Sequence, residues 1–292
     1  MIRSIVSQQV ALGWIGMVLF LCAISLGTQQ TAANGPIFMT KSDLAQHGLS
    51  LLLPGEAGYA EELNKLGLND KPGMDLAKPG SVILKNASPH SIITFGVRWK
   101  IKDSTGFVWT RDVMHLEPRG LLDGGRRRTE QVSIPAGSSR LITVEGLIQS
   151  PAGLKDFSSS FLAPGFSPVS VQLDLAIFDD GEVVGPDEIG MLPTVKATIN
   201  AKQDLMEEVS SRLAQGQSLR EALASLQSEA KPAPKTHAPL DPDATYAALR
   251  QQYLDELATT ERNFGEQAAM RSLQNHKYEV RPDIHRGGNT PN

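Results

Sequence analysis

The stretch Ile93-Thr-Phe-Gly-Val-Arg-Trp-Lys-Ile101 decides how this chain reads. Its odd positions (Ile93, Phe95, Val97, Trp99 and Ile101) are apolar, and Thr94, Gly96, Arg98 and Lys100 fall between them. Successive side chains of a strand point to opposite faces, so this period of two predicts a strand with one buried face. Val169, Val171, Leu173, Leu175 and Ile177 repeat the pattern, with Ser170, Gln172 and Asp174 on the outward side. Shorter strands are predicted over Ser81–Lys85, Phe107–Thr110, Gln131–Ile134 and Leu141–Ile148, the last with Ile142, Val144 and Ile148 inward. Turn-forming runs separate them: Asn86-Ala-Ser-Pro89, Asp103-Ser-Thr-Gly106, Pro135-Ala-Gly137 and Asp180-Gly181. About seven short alternating strands without helical period predict a mainly β protein, an antiparallel immunoglobulin-like sandwich over 81–190, with a C-terminal α extension.

On the C-terminal side the period changes to that of a helix. Val195, Ile199, Leu205, Val209 and Leu213 predict one helix, and Gly216 interrupts it. Ser218-Leu-Arg-Glu221 is a capping box that starts a second, so 191–230 reads as a helical hairpin. Residues 231–242 carry four prolines and read as an extended linker. Asp241-Pro242 then fits an N-cap followed by proline at the first helical position. Tyr246, Leu249, Tyr253, Leu257 and Phe264 form the apolar stripe of one long amphipathic helix over 243–274. The polar stretch 275–292 reads as a disordered tail, and the Gly- and Pro-rich 34–80 as an irregular lead-in.

On the N-terminal side, Val10 to Gly27 is uncharged, and Arg3 is the only charged residue before Lys41. A basic start, an apolar run and a small-residue exit predict an export signal over 1–33, with Thr31-Ala32-Ala33 as the cleavage point. The alternative is an uncleaved transmembrane anchor, because the run lies at the short end of what spans a bilayer. Leu21 precedes Cys22, where lipidation requires a small residue. The expected location is therefore periplasmic or secreted, or membrane-anchored through residues 10–27.

Composition narrows the function classes. The 292 residues carry 28 Lys+Arg and 32 Asp+Glu, a formal net charge of −4, which speaks against nucleic acid as the partner. A single Cys excludes an internal disulfide and a Cys-rich zinc site. Hydrophobic residues at 40% suffice for a packed core, and aromatics at 5% make that core mostly aliphatic.

Three pieces of Ser81–Asp187 resemble the immunoglobulin-like or fibronectin-like modules of uncharacterised bacterial envelope and secreted proteins. Val82-Ile-Leu-Lys-Asn86 with Ser88 and Ile92 resembles their first strand and turn. Ile134-Pro-Ala-Gly137-Ser138 resembles their mid-domain turn, and Leu173 to Asp187 a closing strand with an Asp-Gly hairpin. The resemblance covers about a third of the chain. It implies adhesion, binding or spacer duty and no fixed catalytic residues.

Asp179, Asp180, Glu182 and Asp187, with Glu188 beside them, crowd hard oxygen ligands as a Ca²⁺ site would, although not at EF-hand spacing. Asp-Gly is equally the residue pair of a tight hairpin. No His pair has the helical i, i+4 spacing of a zinc site, so a His-based site requires His90 and His115 to converge. No G-x-S-x-G elbow occurs. Gly124-Gly125 lacks the Lys-Ser/Thr of a phosphate loop. Arg126, Arg127 and Arg128 are the one strong basic run, suited to a polyanionic envelope component. Tyr246 and Tyr253 mark the helix stripe that either packs internally or docks on a partner. The leading expectation is a non-catalytic exported binding or scaffolding protein without a cofactor. A hydrolase of envelope polymers using carboxylates near Asp179–Glu188 and a Ca²⁺-stabilised structural module are the alternatives.

Overall fold

The computed structural model describes residues 41–116, 134–148, 154, 167–229, 240–277 and 284–286. The signal or anchor, Arg126–Arg128, Gln131–Ser133 and nearly all of the Pro-rich linker lie outside the described residues. Among those described, no helix is long and apolar enough to cross a membrane.

Strands β1 (Leu49–Leu52), β2 (Ser81–Asn86), β5 (Ser139–Thr143) and β6 (Gly146–Ile148) form one sheet in the order β1-β2-β5-β6. Strands β3 (Ile92–Lys102), β4 (Val108–Leu116), β7 (Ser167–Phe178), β8 (Glu182–Val184) and β9 (His285–Arg286) form the second, ordered β4-β3-β7-β8-β9. All pairings are antiparallel except β8 with β9. The sheets pack face to face: Leu49, Leu51, Val82, Leu84 and Ile142 meet Phe95, Val97, Trp99, Ile101 and Leu173 in one core. Arg111, only 4% exposed, spans this interface, its Nε donating to the Val144 carbonyl at 2.9 Å.

Helices cover both outer faces. Outside the first sheet, Ile83 and Leu141 pack with Tyr59 and Leu63 of α2 (Tyr59–Lys65) and Met74 and Ala77 of α3 (Met74–Ala77). A short helix α1 (Lys41–Gln46) precedes β1. Outside the second sheet, Leu175, Ile177 and Val183 pack with Met191, Val195 and Ile199 of α4 (Met191–Ala214). Gly96 permits this approach, because a Cβ there would sit 2.6 Å from Met191 Sδ. The far half of α4 then builds a bundle with α5 (Leu219–Glu229), α6 (Pro242–Phe264) and α7 (Glu266–Lys277) around Leu205, Val209, Leu223, Leu226 and Leu254. The helix starts follow the sequence. Ser218 and Glu221 exchange the reciprocal bonds of a capping box, and Asp241 accepts from Asp243 and Ala244 N–H.

Several expectations are corrected. Helix makes up 45% of the described structure, so the protein is mixed α and β and not mainly β. The lead-in is structured: β1 pairs with β2, and α2 and α3 bury apolar surface on the sheet. Leu141–Ile148 is two strands joined by a tight turn, which sends Ile148 to the outer face while Ile142 and Val144 stay inside. The helix expected over 243–274 breaks at Gly265, whose φ of 83° and ψ of 167° no helix contains, and Phe264 is 75% exposed. The tail is ordered at 284–286, where it pairs with β8, and 275–277 belong to α7.

The period-two reading fails where register shifts. Bulges lie between Ile92/Thr94 and Gly96/Val97 in the β3–β7 pairing. A bulge moves following side chains to the other face. Ile93 therefore joins the α4 side, away from Phe95, and Leu175 and Ile177 face α4 while Leu173 faces the sandwich core. Asp174 does face outward, beside Gly96, but the start of α4 and the segment before it bury it fully.

Gly185 tests the tightest of these junctions. Its φ is +111°, and a Cβ would lie 2.3 Å from the main-chain oxygen of Asp174. Gly137 has φ +70° but open space around it. Gly137→Ala should cost about 1 kcal/mol, the left-handed strain alone. Gly185→Ala should cost at least about 3 kcal/mol, since backbone must move as well. Thermal melts of the two variants beside wild type would check the ordering.

Candidate functional site

The acidic run sits on the β7–β8 hairpin and the segment that follows it. Gly181 (φ 92°) closes the hairpin, with its N–H bonded to the Phe178 carbonyl at 3.0 Å. His90, from the turn between β2 and β3, reaches it. Its Nδ1 lies 3.2 Å from Asp179 Oδ1 and its Nε2 lies 3.3 Å from Asp180 Oδ2. The turn that presents His90 is built by Asn86, which is fully buried. Asn86 Nδ2 donates to the carbonyls of His90 and Ile134, and its Oδ1 accepts from Ser88 N–H and hydroxyl.

The remaining acids turn elsewhere. Glu182 Oε1 meets His47 Nδ1 at 2.9 Å. Asp187, itself at φ 60°, accepts the N–H groups of Met191 and Leu192 and so caps α4. Glu188 pairs with Arg98, which also holds Asp112 through two bonds of 2.7 and 3.0 Å. Behind them, Asp174 accepts Glu188 and Ile189 N–H, and burial pushes its carboxyl above the usual range.

Of the expected Ca²⁺ ligands, then, Asp179 and Asp180 come together, while Glu182 and Asp187 are committed to other partners. His90, not His115, is the histidine that joins the pair. The ligand atoms of His90, Asp179 and Asp180 lie within 4.8 Å of one another, the group of this kind among the described residues. One imidazole and two carboxylates suit a transition ion better than Ca²⁺, which takes six or more oxygens. As placed, the two carboxylates face opposite ring nitrogens, and the Nδ1 contact with Asp179 has hydrogen-bond geometry. His115 instead stacks on Phe95, with ring centroids 5.4 Å apart.

Sequence reasoning missed a second cluster, since its members are far apart in the chain. Glu62 of α2 is 7% exposed and accepts from Lys65 (2.9 Å), Lys85 (3.1 Å) and Ser139 (2.9 Å). Glu62, Lys65 and Lys85 border an open cleft of about 420 Å³ also lined by Gly48, Leu49 and Leu52. With Glu61, which pairs with Lys65 at 2.8 Å, the two carboxylates and two ammonium groups balance, and the cluster's main effect is to clamp α2 onto β2 and β5.

The third feature is apolar. Phe107, Val108 and Val169 are 55%, 47% and 58% exposed at one end of the second sheet, where Lys102 pairs with Val108 on one side and Ser167 on the other. Phe107 meets Trp109 edge to face at 5.1 Å. The turn beneath is rigid: Asp103 accepts from Thr105, Phe107 N–H and Trp109 Nε1. The bonds from Thr105 and Trp109 hold its carboxyl down at about 2.

Tyr246 and Tyr253 are engaged within the bundle. Tyr246 donates to Asp204 of α4 at 3.0 Å, and Tyr253 packs on the bundle core. Arg126, Arg127 and Arg128 lie outside the described residues. No protein-family model, no curated protein and no solved structure matches this chain.

Glu62 yields a pH prediction. Chiefly the Lys65 hydrogen bond, against the opposing pull of burial and with help from Lys85 and Ser139, lowers its carboxyl from 4.5 to about 2. A lowered carboxylate stabilises the fold above its unfolded pKa, and that share is lost as pH falls through the folded one. Glu62→Gln should therefore be less stable than wild type at pH 7, by about 1–2 kcal/mol. The gap should close between pH 4.5 and 2. Urea titrations across that range measure it, and a gap independent of pH would refute the assignment.

Proposed function

We propose that this chain is a non-catalytic binding or scaffolding protein exported to the bacterial envelope. In this reading its immunoglobulin-like module offers the end of the β3–β4 hairpin to a protein or envelope partner. The observation that carries the reading is the exposed pair Phe107 and Val108, held by the hydrogen bonds of the Asp103 turn, with Val169 exposed at the same end of the sheet. Clustered exposed apolar side chains on a soluble frame mark interaction sites, while scattered ones do not. Aromatic anchors that are already ordered lose little entropy on binding.

Strand order supports the finer fold reading. With β1, β2, β3, β4, β5, β7 and β8 taken as A, B, C, C′, E, F and G, the sheets run A-B-E and C′-C-F-G. That is the arrangement of immunoglobulin-like sandwiches. β6, the parallel β9 and the helices on both faces are additions to it. The uncharged Val10–Gly27 behind Arg3 supports export.

A photo-crosslinking residue at position 107, compared with one at the exposed Glu207 of α4, tests the proposal in the producing bacterium. Discrete adducts in the envelope fraction are expected from position 107 and not from 207. Equal adducts from both, or none from 107, would count against it.

A further inference from the structure

The strand that closes the second sheet is short. β9 is two residues long, and both are exposed. It is the parallel member of an otherwise antiparallel sheet. His285 N–H donates to the Gly181 carbonyl at 3.1 Å. Arg286 donates to the carbonyls of Gly185 and Pro186 at 3.2 and 3.4 Å. Ile284 packs into the apolar layer between the sheet and α4. Three successive residues thus use three features of one edge: an aliphatic seat, a backbone ladder and a pair of carbonyls.

Each of these contacts is small beside what ordering a residue costs. A hydrogen bond contributes about 1 kcal/mol net, and fixing each residue's backbone costs about as much or more. The covalent tether makes up the difference, since a linked segment acts at roughly millimolar effective concentration. A free strand edge is also what extended peptides use when they add to a sheet. Glu182 lies in register with His285, but its carboxylate already meets His47 and that of Asp180 meets His90, so selectivity for arginine rests on the carbonyls of Gly185 and Pro186.

We propose that the outer edge of β8 is a docking site for an extended peptide with an aliphatic residue followed two positions later by arginine. Ile284–Arg286 covers that site in cis and detaches to admit the partner. The partner's aliphatic side chain takes the Ile284 seat, and its arginine takes the carbonyls of Gly185 and Pro186. This surface is distinct from the hairpin end, and the inference holds whatever that end binds.

The test uses the full chain and a fluorescein-labelled peptide with the sequence of residues 282–289, Pro-Asp-Ile-His-Arg-Gly-Gly-Asn. In anisotropy titrations, a His285→Pro/Arg286→Ala chain should bind it at least about tenfold more tightly than wild type, whose own tail competes. Replacing the peptide's arginine by alanine should weaken binding severalfold. No saturable binding to the folded variant, equal binding to variant and wild type, or indifference to the arginine would overturn the proposal. Arg286→Ala alone serves if the double variant does not fold. Hydrogen exchange on wild type gives an independent reading: the His285 amide should exchange far faster than that of Leu175, and equal protection would contradict a detachable cover. Light scattering should show a monomer. A dimer that Arg286→Ala dissociates would mean that copies exchange tails, and would replace the cis cover with a trans one.

Discussion

A carboxylate fully buried in β7 organises the second half of this fold. Both oxygens of Asp174 accept main-chain N–H groups, from Glu188 and Ile189, and its carbonyl accepts from Asp187. Burying a charge is costly unless it is hydrogen-bonded, and here the backbone supplies the donors with Arg98 nearby. The consequence is positional. With residues 187–189 fixed against β7, Asp187 is placed to cap α4, and α4 has one starting point and one direction.

Everything C-terminal inherits that direction. At 24 residues, α4 is about 36 Å long, enough to cover the second sheet with its first half and seat the bundle with its second. The helical half is accordingly continuous with the sandwich through one rigid element. Gly96 and Gly185 mark where this union leaves no room for a side chain. The hairpin is braced separately: His47 ties the segment before β1 to Glu182, and His90 ties the β2–β3 turn to Asp179 and Asp180.

Features set by neighbouring residues were legible in the sequence. The Asn86 turn, the Asp180-Gly181 hairpin, the Ser218 capping box and the Asp241-Pro242 helix start each depend on a few adjacent side chains, and all are present. Features set by long-range pairing were not. Asp174 does point away from the inter-sheet core, and it looked like a surface residue because nothing within its strand announces that α4 and residues 187–189 cover that face. β1 looked like loop because its strand character comes from β2, more than thirty residues on. Of the candidate site, the acidic residues were visible, but His90 and Asp179 are 89 residues apart and no spacing announces their meeting. The crowding of five acids was misleading for a related reason. A hairpin and its exit send neighbouring side chains in different directions, so closeness in sequence does not make a common ligand sphere.

Covering both outer faces has a consequence for binding. A sandwich with bare faces can recruit a partner anywhere along its strands. Here α2 and α3 occupy one face and α4 the other, and apolar residues on both are spent internally. What is left of the sandwich is its ends and edges. At one end Phe107, Val108 and Val169 remain exposed. At one edge β8 would present unpaired backbone groups but for two residues of the tail. Exposed apolar surface and a thinly covered strand edge are both features that a merely structural spacer has reason to avoid, since each invites unwanted association. Their presence on a frame whose two faces are covered is what supports the proposed binding role.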